Sequence, residues 1–542
     1  MNDISASVPT GQPSVRLDLF RPSLSYPSIQ YDEMLTLTAQ RFPENEALIF
    51  REVNLTYREL DALVNSLSNA LLNLGLRKGQ SVSLFMKNCP EFLISWFALA
   101  RIGAIISPIN PSYKDRELIY QLSNSDAVAI IVQHELLPMV EAIRAETPAL
   151  QSILAVGSGQ QRLSPYVHSF SQLLQTYPTT PPTCEPRTQE DTLALPYSSG
   201  TTGLPKGVMH SHRSLVWNAC QMVSVCRLTS RDRLLVFLPL YHIFGMMVLG
   251  VAAMSGATIV LMERFETEQC LRLIQEQGIT VFYAVPQVLA LLSDWPQLQN
   301  YDLHTVRYVQ CGAAPVPPPL ARRFQVLTDI TVFTAFGMTE GNASHANPVF
   351  DRRLIKVETI GLPLHDTKQK IVDIATGQVE LGTGEEGELI IQGPQIMQGY
   401  WKAPEATTEA LRDGWLYTGD IGWRDAEGYV TLTDRKKEMI KYKGFSIAPA
   451  QLEALLLEHP AVADVAVIAK SNAEAGEIPK AFVVLRQGYE HVSEVELMLW
   501  INGQLATFKN VREIEFIDAI PRNPTGKILR RILKEREQQK TP

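Results

Sequence analysis

Hydrophobic and polar positions follow two different spacings in the first part of the chain. Apolar residues recur at helical spacing over residues 57–76 and 91–104, whereas short and nearly continuous apolar runs cover residues 81–88 and 125–133. Helical spacing is typical of helices that bury one face, and short apolar runs are typical of buried strands. Because strands and helices alternate, this region is predicted to form an α/β domain with mainly parallel sheets.

The alternation continues in the middle of the chain. Residues 233–240 and 279–286 have the pattern of buried strands, and residues 267–278 between them have that of a helix. Two further runs, at 305–315 and 329–340, each predict a strand that leads into a loop. We therefore expect two layered α/β subdomains before residue 350.

The pattern changes after residue 355. Glycine, aspartate and proline divide residues 355–432 into short apolar runs, which predicts a small antiparallel unit of the β-barrel kind. Residues 437–542 mix helical segments with strand-like runs, which predicts a compact α+β domain. The fold class is therefore α/β, with a large domain at 31–436, a smaller C-terminal lid domain, and a polar, loose lead-in at residues 1–30.

Composition excludes several classes of protein. The 542 residues carry a net charge of −8, which argues against broad binding to nucleic acid or anionic membranes. The six cysteines are scattered without a CxxC pair, as in reduced cytosolic proteins. Neither a signal peptide, nor an apolar run long enough to span a membrane, nor a peroxisomal C-terminus is found. The sequence predicts a cytoplasmic protein.

One glycine-rich stretch is the first candidate for chemistry. Residues 197–208 read YSSGTTGLPKGV, and the order of Lys206 and Gly207 differs from that of a Walker loop, where Lys follows Gly and precedes Ser or Thr. By composition alone such a stretch is most often a simple turn. Its glycines, hydroxyls and lysine nevertheless suit an anion-binding concavity. We interpret it as a phosphate-binding loop.

A second glycine-rich stretch does not predict a nucleotide site. Residues 382–387 read GTGEEG, which matches the dinucleotide-binding pattern GxGxxG. That motif requires a strand before it and a helix after it. Here a strand-like run follows, and two glutamates would repel a pyrophosphate. We therefore expect no nicotinamide or flavin cofactor.

Six segments in order resemble the adenylate-forming superfamily, which includes acyl-CoA synthetases, 4-coumarate–CoA ligases, luciferases and the adenylation domains of peptide synthetases. The similarity extends from about residue 30 to about residue 535, and within the superfamily the chain looks most like bacterial fatty-acyl-CoA synthetases. The loop at 197–208 is followed by LPLYHIFG (238–245), AFGMTE (335–340), LYTGD (416–420), DRKKEMIKYKGFSIAPAQLE (434–453) and PRNPTGKILRR (521–531).

The resemblance implies a two-step reaction with ATP, Mg²⁺ and CoA. A carboxylate first joins ATP to give an acyl-adenylate and pyrophosphate, and the acyl group then passes to a thiol. The first step brings a carboxylate toward an anionic triphosphate, so it needs cations and oriented donors around the phosphates. By resemblance, the β- and γ-phosphates are held by Ser198, Ser199, Gly200, Thr201, Thr202 and Lys206, the α-phosphate by Thr339, and Mg²⁺ by Glu340 and Thr201.

The adenosine site is also implied by resemblance. Asp420 would accept hydrogen bonds from both ribose hydroxyls, a task that suits a carboxylate with two acceptor oxygens, and Arg435 would assist it. Adenine would lie against Phe336 and Gly337 and over the small residues Gly312, Ala313 and Ala314.

Two lysines would serve the two steps in turn. Lys527 would bridge the carboxylate and the α-phosphate during adenylation, as a mobile point charge can. His242 would orient the acyl carboxylate. The small domain would then rotate at Lys437, replacing Lys527 by Lys441, while Lys443 and Gly444 line the path of pantetheine.

The acid is predicted to be apolar. Phe244, Gly245, Met246 and Met247 are expected near its pocket, with the glycine leaving room for a tunnel and the methionines adapting to a flexible chain. A medium- or long-chain fatty acid is the first choice. Thr334-Ala335 and Ser446 depart from the 4-coumarate-type pattern, which weakens the case for a plant-type aromatic acid.

Several alternatives stay open at this point. The nearest are an aryl-CoA ligase of the 4-coumarate or benzoate type and an adenylating enzyme that loads a carrier protein. A luciferase-like oxygenase and a non-catalytic nucleotide-binding descendant are more distant, and the latter is disfavoured because Lys206, Glu340 and Lys527 are all present. The expected partners are the acid, ATP and CoA, and a homodimer is left open.

Overall fold

Two large sheets and two small ones make up the protein. The computed structural model describes residues 21–157, 164, 166–198, 204–443, 445–472, 475–505, 507–523 and 526–540, and all structural statements concern these. The large sheets have nine strands each and the small sheets five each. The described helices are Tyr31–Arg41, Tyr57–Asn73, Pro90–Ile102, Asp115–Asn124, Leu137–Ala142, Phe170–Thr176, His212–Cys226, Ile243–Ser255, Thr267–Gln277, Pro286–Ser293, Pro318–Thr328, Pro404–Ala410, Pro449–Leu456, Glu494–Asn502 and Arg530–Lys540.

The first large sheet has a parallel centre with antiparallel edges. Its strands, in spatial order, are Leu362–Pro363, Asn342–Ala346, Thr331–Met338, Tyr308–Cys311, Val281–Ala284, Arg233–Val236, Thr258–Leu261, Glu46–Phe50 and Val53–Thr56.

The second large sheet is parallel except at strand Lys206–Ser211, which pairs antiparallel with all three of its neighbours. Its strands, in spatial order, are Gly399–Tyr400, Lys206–Ser211, Thr192–Ala194, Ile105–Ile109, Ser81–Phe85, Ala127–Gln133, Ser152–Val156 and Val167–Ser169, with Tyr197–Ser198 paired to Lys206–Ser211.

Helix Pro90–Ile102 shows why the two large sheets share one core. Proline at the first turn and Gly103 in the left-handed conformation (φ 72°) define its ends. Twelve of its thirteen residues are buried, so it presents apolar side chains in every direction. One hydrophobic cluster accordingly includes Leu48 and Val260 of the first sheet and Leu84 of the second. This shared core confirms the predicted α/β architecture of the large domain.

The small antiparallel unit predicted after residue 355 is present. Its strands are Lys368–Val372, Gly387–Gln392, Trp415–Arg424, Leu411–Arg412 and Val430–Arg435, all paired antiparallel. Strand Gly387–Gln392 directly follows the GTGEEG stretch, where a dinucleotide motif would need a helix.

The C-terminal part of the chain has a core of its own. Ile440, Leu452 and Val465 belong to a hydrophobic cluster that contains no residue of the large domain. A separate core is what allows a domain to move as a unit. The fourth sheet, around which this core forms, contains strands Phe445–Ile447, Ile440–Tyr442, Gly476–Leu485, Val462–Asn472 and Glu513–Phe516.

Residues 21–30 differ from the loose lead-in that the sequence predicts. The Tyr26 ring stacks on the Trp217 ring with centroids 4.6 Å apart, and its hydroxyl donates to the Asp366 carboxylate at 2.7 Å. The Arg21 guanidinium donates to the main-chain oxygen of Ala346 at 2.5 Å. These aromatic and cationic anchors tie the segment to the large domain.

No helix in the described ranges is long and apolar enough to cross a membrane.

Candidate active site

Several of the proposed site residues lie at or beyond the carboxyl ends of parallel strands of the first large sheet. Gly312 comes directly after strand Tyr308–Cys311, and Phe336 lies near the end of strand Thr331–Met338. His242 lies in the segment that follows strand Arg233–Val236. Because the carboxyl ends of parallel strands share one edge of a sheet, these residues lie along the edge where α/β proteins usually have a ligand-binding crevice.

The phosphate-binding stretch is a β-hairpin at its base. Lys206, the first residue of strand Lys206–Ser211, pairs with Ser198 at the end of strand Tyr197–Ser198. The hairpin confirms that the stretch is not a Walker loop, which links a strand to a helix. Four residues expected to hold phosphates or Mg²⁺ lie outside the described residues: Ser199, Gly200, Thr201 and Thr202.

Tyr400 connects two of the charged residues, and sequence reasoning missed it. Its hydroxyl donates to the Glu340 carboxylate at 2.9 Å. The Lys206 ammonium lies 5.1 Å from the centroid of the Tyr400 ring, within the range of a cation–π contact. Burial and the nearby Glu340 charge raise the pKa of Tyr400 well above its usual range, so the phenol keeps its proton. Glu340 is buried while Lys206 is exposed.

Asp420 is a buried carboxylate with one unused oxygen. Its Oδ1 accepts from Arg435 Nε at 3.1 Å, and the two residues are direct partners on neighbouring strands. Its Oδ2 is buried and has no hydrogen-bond partner within the described structure. Burial raises the pKa of Asp420, which the Arg435 charge partly offsets. An unsatisfied buried acceptor fits a ribose hydroxyl, so this part of the site suits a nucleotide.

The side of the crevice that is expected to hold the acid carries the partly buried Phe244 ring. The Phe244 and Tyr283 rings meet edge to face with centroids 6.0 Å apart. A side chain at Gly312 would come within 3.2 Å of the Phe244 ring, so the glycine keeps the space beside that ring. Ala313 has a positive φ of 66°, which turns the chain sharply after Gly312. Ala313 and Gly337 are exposed, whereas Ala314 and Phe336 are partly buried.

Gly245 does not provide room for a tunnel, contrary to the sequence-based expectation. A Cβ atom at this position would lie 2.3 Å from the Pro239 carbonyl oxygen. The glycine is needed because the start of helix Ile243–Ser255 packs directly on the preceding backbone. Met246 and Met247 are only 2% and 9% exposed and belong to the main core. Of the four residues expected near the pocket, Phe244 alone borders Gly312.

Lys527 lies among the charged groups of the large domain. Burial and the Arg435 charge lower its pKa to about 8, against the opposing effects of Asp420, Glu438 and Glu340. Burial and the Lys527 charge in turn lower the pKa of His242 to about 4, so the imidazole is neutral at physiological pH. Lys527 is partly buried and lies within electrostatic reach of His242, Asp420 and Arg435.

The loop that carries Lys527 is braced on both sides. Within the C-terminal domain, Arg522 donates to the Gly526 carbonyl at 2.7 Å, and the Lys527 amide donates to Asn523 Oδ1 at 2.8 Å. Gln287 of the large domain donates to the same Gly526 carbonyl at 2.9 Å. Gln287 follows the end of strand Val281–Ala284 and was also missed by sequence reasoning.

The second set of proposed lysines lies elsewhere. Lys441 is exposed on strand Ile440–Tyr442, where its main-chain amide donates to the Glu477 carboxylate at 2.7 Å. Lys437 is exposed in the turn between strands Val430–Arg435 and Ile440–Tyr442, which belong to different sheets. Lys443 is exposed and has a positive φ of 46°, and Gly444 lies outside the described residues.

Asp420 pairs with Arg435, and a second domain supplies Lys527, as expected for an adenylate-forming enzyme of two domains. The family model described as AMP-binding enzyme matches residues 35–401, and the model of the AMP-binding enzyme C-terminal domain matches residues 451–527. The chain belongs to the AMP-binding enzyme family, within the adenylate-forming superfamily.

Three similar proteins place the chain within that family. It is 36% identical to 4-coumarate–CoA ligase 5 of Oryza sativa subsp. japonica over 89% of each chain. The anthranilate CoA ligase AuaEII, solved in complex with anthranoyl-AMP, gives a TM-score of 0.86 at 28% identity over 95% of this chain and 98% of that one. A Mycobacterium tuberculosis fatty acyl CoA synthetase gives 0.76 at 31% identity over 95% and 99%. The protein is an AMP-forming acid–thiol ligase that uses ATP, Mg²⁺ and CoA.

Proposed function

We propose that the protein is an aryl-CoA ligase that activates an aromatic carboxylic acid of the 4-coumarate or benzoate class. The observation that carries this proposal is the partly buried Phe244 ring beside Gly312, which the fully buried Tyr283 ring supports edge to face from the core. Edge-to-face aromatic surfaces favour flat rings. The similarity to 4-coumarate–CoA ligases and to an anthranilate CoA ligase supports the same choice.

We propose that adenylation occurs in the arrangement described above. A carboxylate oxygen of the acid attacks the α-phosphorus of ATP, the bond from that phosphorus to the bridging oxygen breaks, and pyrophosphate leaves. Lys527 would lie between the acid and the α-phosphate and neutralise the charge that develops there. Neutral His242 would orient the acid, and Asp420 Oδ2 would accept from the ribose.

The phosphates would be held from the opposite side. Lys206 and the loop that precedes it would contact the β- and γ-phosphates, and Thr339 the α-phosphate. Mg²⁺ usually keeps several waters and binds one or two carboxylates together with substrate phosphates, a role that Glu340 can fill. Tyr400 would hold the Glu340 carboxylate in place for the ion.

Thioester formation would use the second set of lysines after the C-terminal domain turns at Lys437. The CoA thiol loses its proton, its sulfur attacks the acyl carbonyl carbon, and AMP leaves. Lys441 would then face the adenylate, and Lys443 and Gly444 would line the path of pantetheine. The domain division at residues 436 and 437 is part of this proposal, supported by the separate C-terminal core.

A fatty acid is the second candidate. It is supported by the likeness to the M. tuberculosis fatty acyl CoA synthetase and was the first choice from the sequence. The close contact at Gly245 weighs against it, since that contact removes the expected entrance to a tunnel.

A cytoplasmic location and a homodimer stay predictions. The first rests on six cysteines that form no disulfide, each of which lies in the described ranges.

Mass spectrometry of the products separates the candidates. The protein would be incubated with Mg·ATP, CoA and equal amounts of benzoate, cinnamate, 4-coumarate, octanoate and palmitate, with Lys527→Ala as the inactive control. We expect aryl-CoA in excess of the fatty acyl-CoAs. Fatty acyl-CoA in excess would reverse the choice of acid, and acyl-AMP that accumulates without acyl-CoA would point to a carrier protein as the acceptor.

A further inference from the structure

A buried histidine connects the phosphate-binding hairpin to the turn that carries Thr339 and Glu340. His210 lies on strand Lys206–Ser211, four residues after Lys206, and is fully buried. Its Nε2 lies 2.6 Å from the main-chain oxygen of Thr339. This bond joins two segments that are 129 residues apart in the chain.

The partners of His210 define which ring nitrogen carries the proton. The Thr339 carbonyl can only accept, so Nε2 must be the protonated nitrogen. Asn342 Nδ2 lies 3.1 Å from His210 Nδ1 and also donates to the Gln395 carbonyl at 2.8 Å, which fixes the orientation of the amide. Nδ1 therefore accepts from Asn342. A second proton on the ring would face this amide donor, and burial also lowers the pKa of His210 to about 4.

The Asn342 end of this contact is equally constrained. Asn342 has a positive φ of 49°, and a side chain at Gly337 would lie 2.6 Å from the Asn342 carbonyl oxygen. The two antiparallel strands that Gly337 and Asn342 close therefore approach each other tightly, and the turn between them holds Thr339 and Glu340. His210 contacts this turn at Thr339 and at Asn342, on both sides of Glu340.

We propose that His210 is a positioning residue for Mg·ATP, which sets the orientation of the Thr339–Glu340 peptide relative to the strand that begins with Lys206. This inference rests on the proposed roles of Thr339, Glu340 and Lys206. His210 itself touches no substrate. Removal of a residue that hydrogen-bonds to a metal-binding segment commonly lowers metal affinity or activity roughly 10–100-fold.

Three substitutions test the bond to Thr339. Gln places its amide nitrogen about where His Nε2 lies, Asn places its amide near Nδ1 only, and Leu fills the space without a donor. We expect His210→Leu and His210→Asn to weaken Mg·ATP binding by roughly 10–100-fold, and His210→Gln to restore most of it. Isothermal titration calorimetry at several Mg²⁺ concentrations measures this without any acid, so a wrong choice of acid does not affect the result.

His212 supplies the matched control. It lies two residues further along, is buried, and accepts from the Tyr31 amide at 3.2 Å, away from the crevice. His212→Leu should lower the melting temperature without changing the affinity for Mg·ATP. Wild-type affinity in His210→Leu, or an equal loss of affinity in folded His212→Leu, would overturn the proposal.

The half-reactions separate this proposal from the proposed function. Thioester formation from supplied acyl-AMP needs neither Mg²⁺ nor the β- and γ-phosphates and keeps only the proposed Thr339 contact to the α-phosphate, so His210→Leu should impair it much less than adenylation. Loss of both half-reactions to the same degree would indicate a structural role only. If the wild-type protein binds Mg·ATP but forms no acyl-CoA from any acid tested, the proposed function fails while the calorimetric result for His210 stands.

Discussion

The side chain of Gln287 donates a hydrogen bond of 2.9 Å to the main-chain carbonyl of Gly526, one residue before Lys527. Gln287 belongs to the large domain and Gly526 to the C-terminal domain. The proposed turn of the C-terminal domain at Lys437 would carry Gly526 away from Gln287 and break this bond. The bond therefore contributes selectively to the arrangement proposed for adenylation.

Removal of this contact should slow one half-reaction only. We expect Gln287→Ala to reduce pyrophosphate release about fivefold, since one hydrogen bond contributes about 1 kcal/mol. Gly526→Ala should cost more, because its Cβ would lie 2.2 Å from Gln287 Oε1 at a φ of 83°. The double variant should regain part of that loss. Equal effects on thioester formation from acyl-AMP would contradict a selective contact.

The pH dependence of adenylation should report Lys527. Its pKa falls from the ordinary 10.5 to about 8, chiefly through burial. The lysine of the free protein is charged below about pH 8 and loses its proton above it, so kcat/KM for ATP, which reports the free protein, should fall as the pH rises through 8. Between pH 8 and 10.5 the undocked lysine binds more protons than the docked one, so docking itself strengthens as the rate falls.

Lys527→Arg is the control for this profile. Arginine stays charged throughout the range, so the variant should lack the fall near pH 8 even if its absolute rate is low. Pyrophosphate release is the readout, because it does not involve the titrating CoA thiol. Identical alkaline limbs in the wild-type protein and the variant would assign the fall to another group.

Asp420→Asn should separate binding from stability. The substitution replaces the charged carboxylate that would accept hydrogen bonds from the ribose hydroxyls. We expect the binding energy to fall by about 1.5–3 kcal/mol, which is roughly 10–150-fold in kcat/KM for ATP. The melting temperature should not fall, because a buried carboxylate with one unsatisfied oxygen is costly in the free protein. Thermal melts and ATP titrations of the same samples measure both. A lower melting temperature with unchanged kcat/KM would make Asp420 a structural residue.

Gly245→Ala tests the correction to the acyl pocket. Its Cβ would meet the Pro239 carbonyl at 2.3 Å, so we expect a loss of about 1–3 kcal/mol in stability. Gly250→Ala in the same helix is the matched control, because its nearest contact is the Tyr31 hydroxyl at 3.2 Å. It should be neutral in a melting experiment. A stable Gly245→Ala variant with an altered acid preference would instead support the original expectation that Gly245 leaves room for an acyl tunnel.

The sequence predicted the fold well because its patterns are local. The spacing over residues 57–76 and 91–104 corresponds to helices Tyr57–Asn73 and Pro90–Ile102, and the run at 125–133 to strand Ala127–Gln133. A helix or strand that buries one face shows a periodic spacing of apolar residues, and this spacing can be read from that segment alone. The ordered motifs likewise singled out Asp420 and Lys527, which lie close enough for the Asp420 charge to act on the pKa of Lys527, while their roles in catalysis stay predictions.

The contacts that the sequence did not predict join distant segments. Tyr400 meets Glu340 across 60 residues, and Gln287 meets Gly526 across 239. Such pairs produce no recognisable pattern in the sequence, since each residue is of a common type within its own helix or strand. Gly245 was misread for the same reason, because a close approach of backbones and an open space both favour glycine.

The most direct test of the account compares Lys527→Ala with Lys441→Ala in the two half-reactions. Pyrophosphate release would be measured with ATP and acid, and thioester formation with supplied acyl-AMP and CoA. The account predicts that Lys527→Ala loses pyrophosphate release and keeps thioester formation, and that Lys441→Ala does the reverse. If both variants lose the same half-reaction, the two lysines do not act in alternate positions of the C-terminal domain, and the account is wrong.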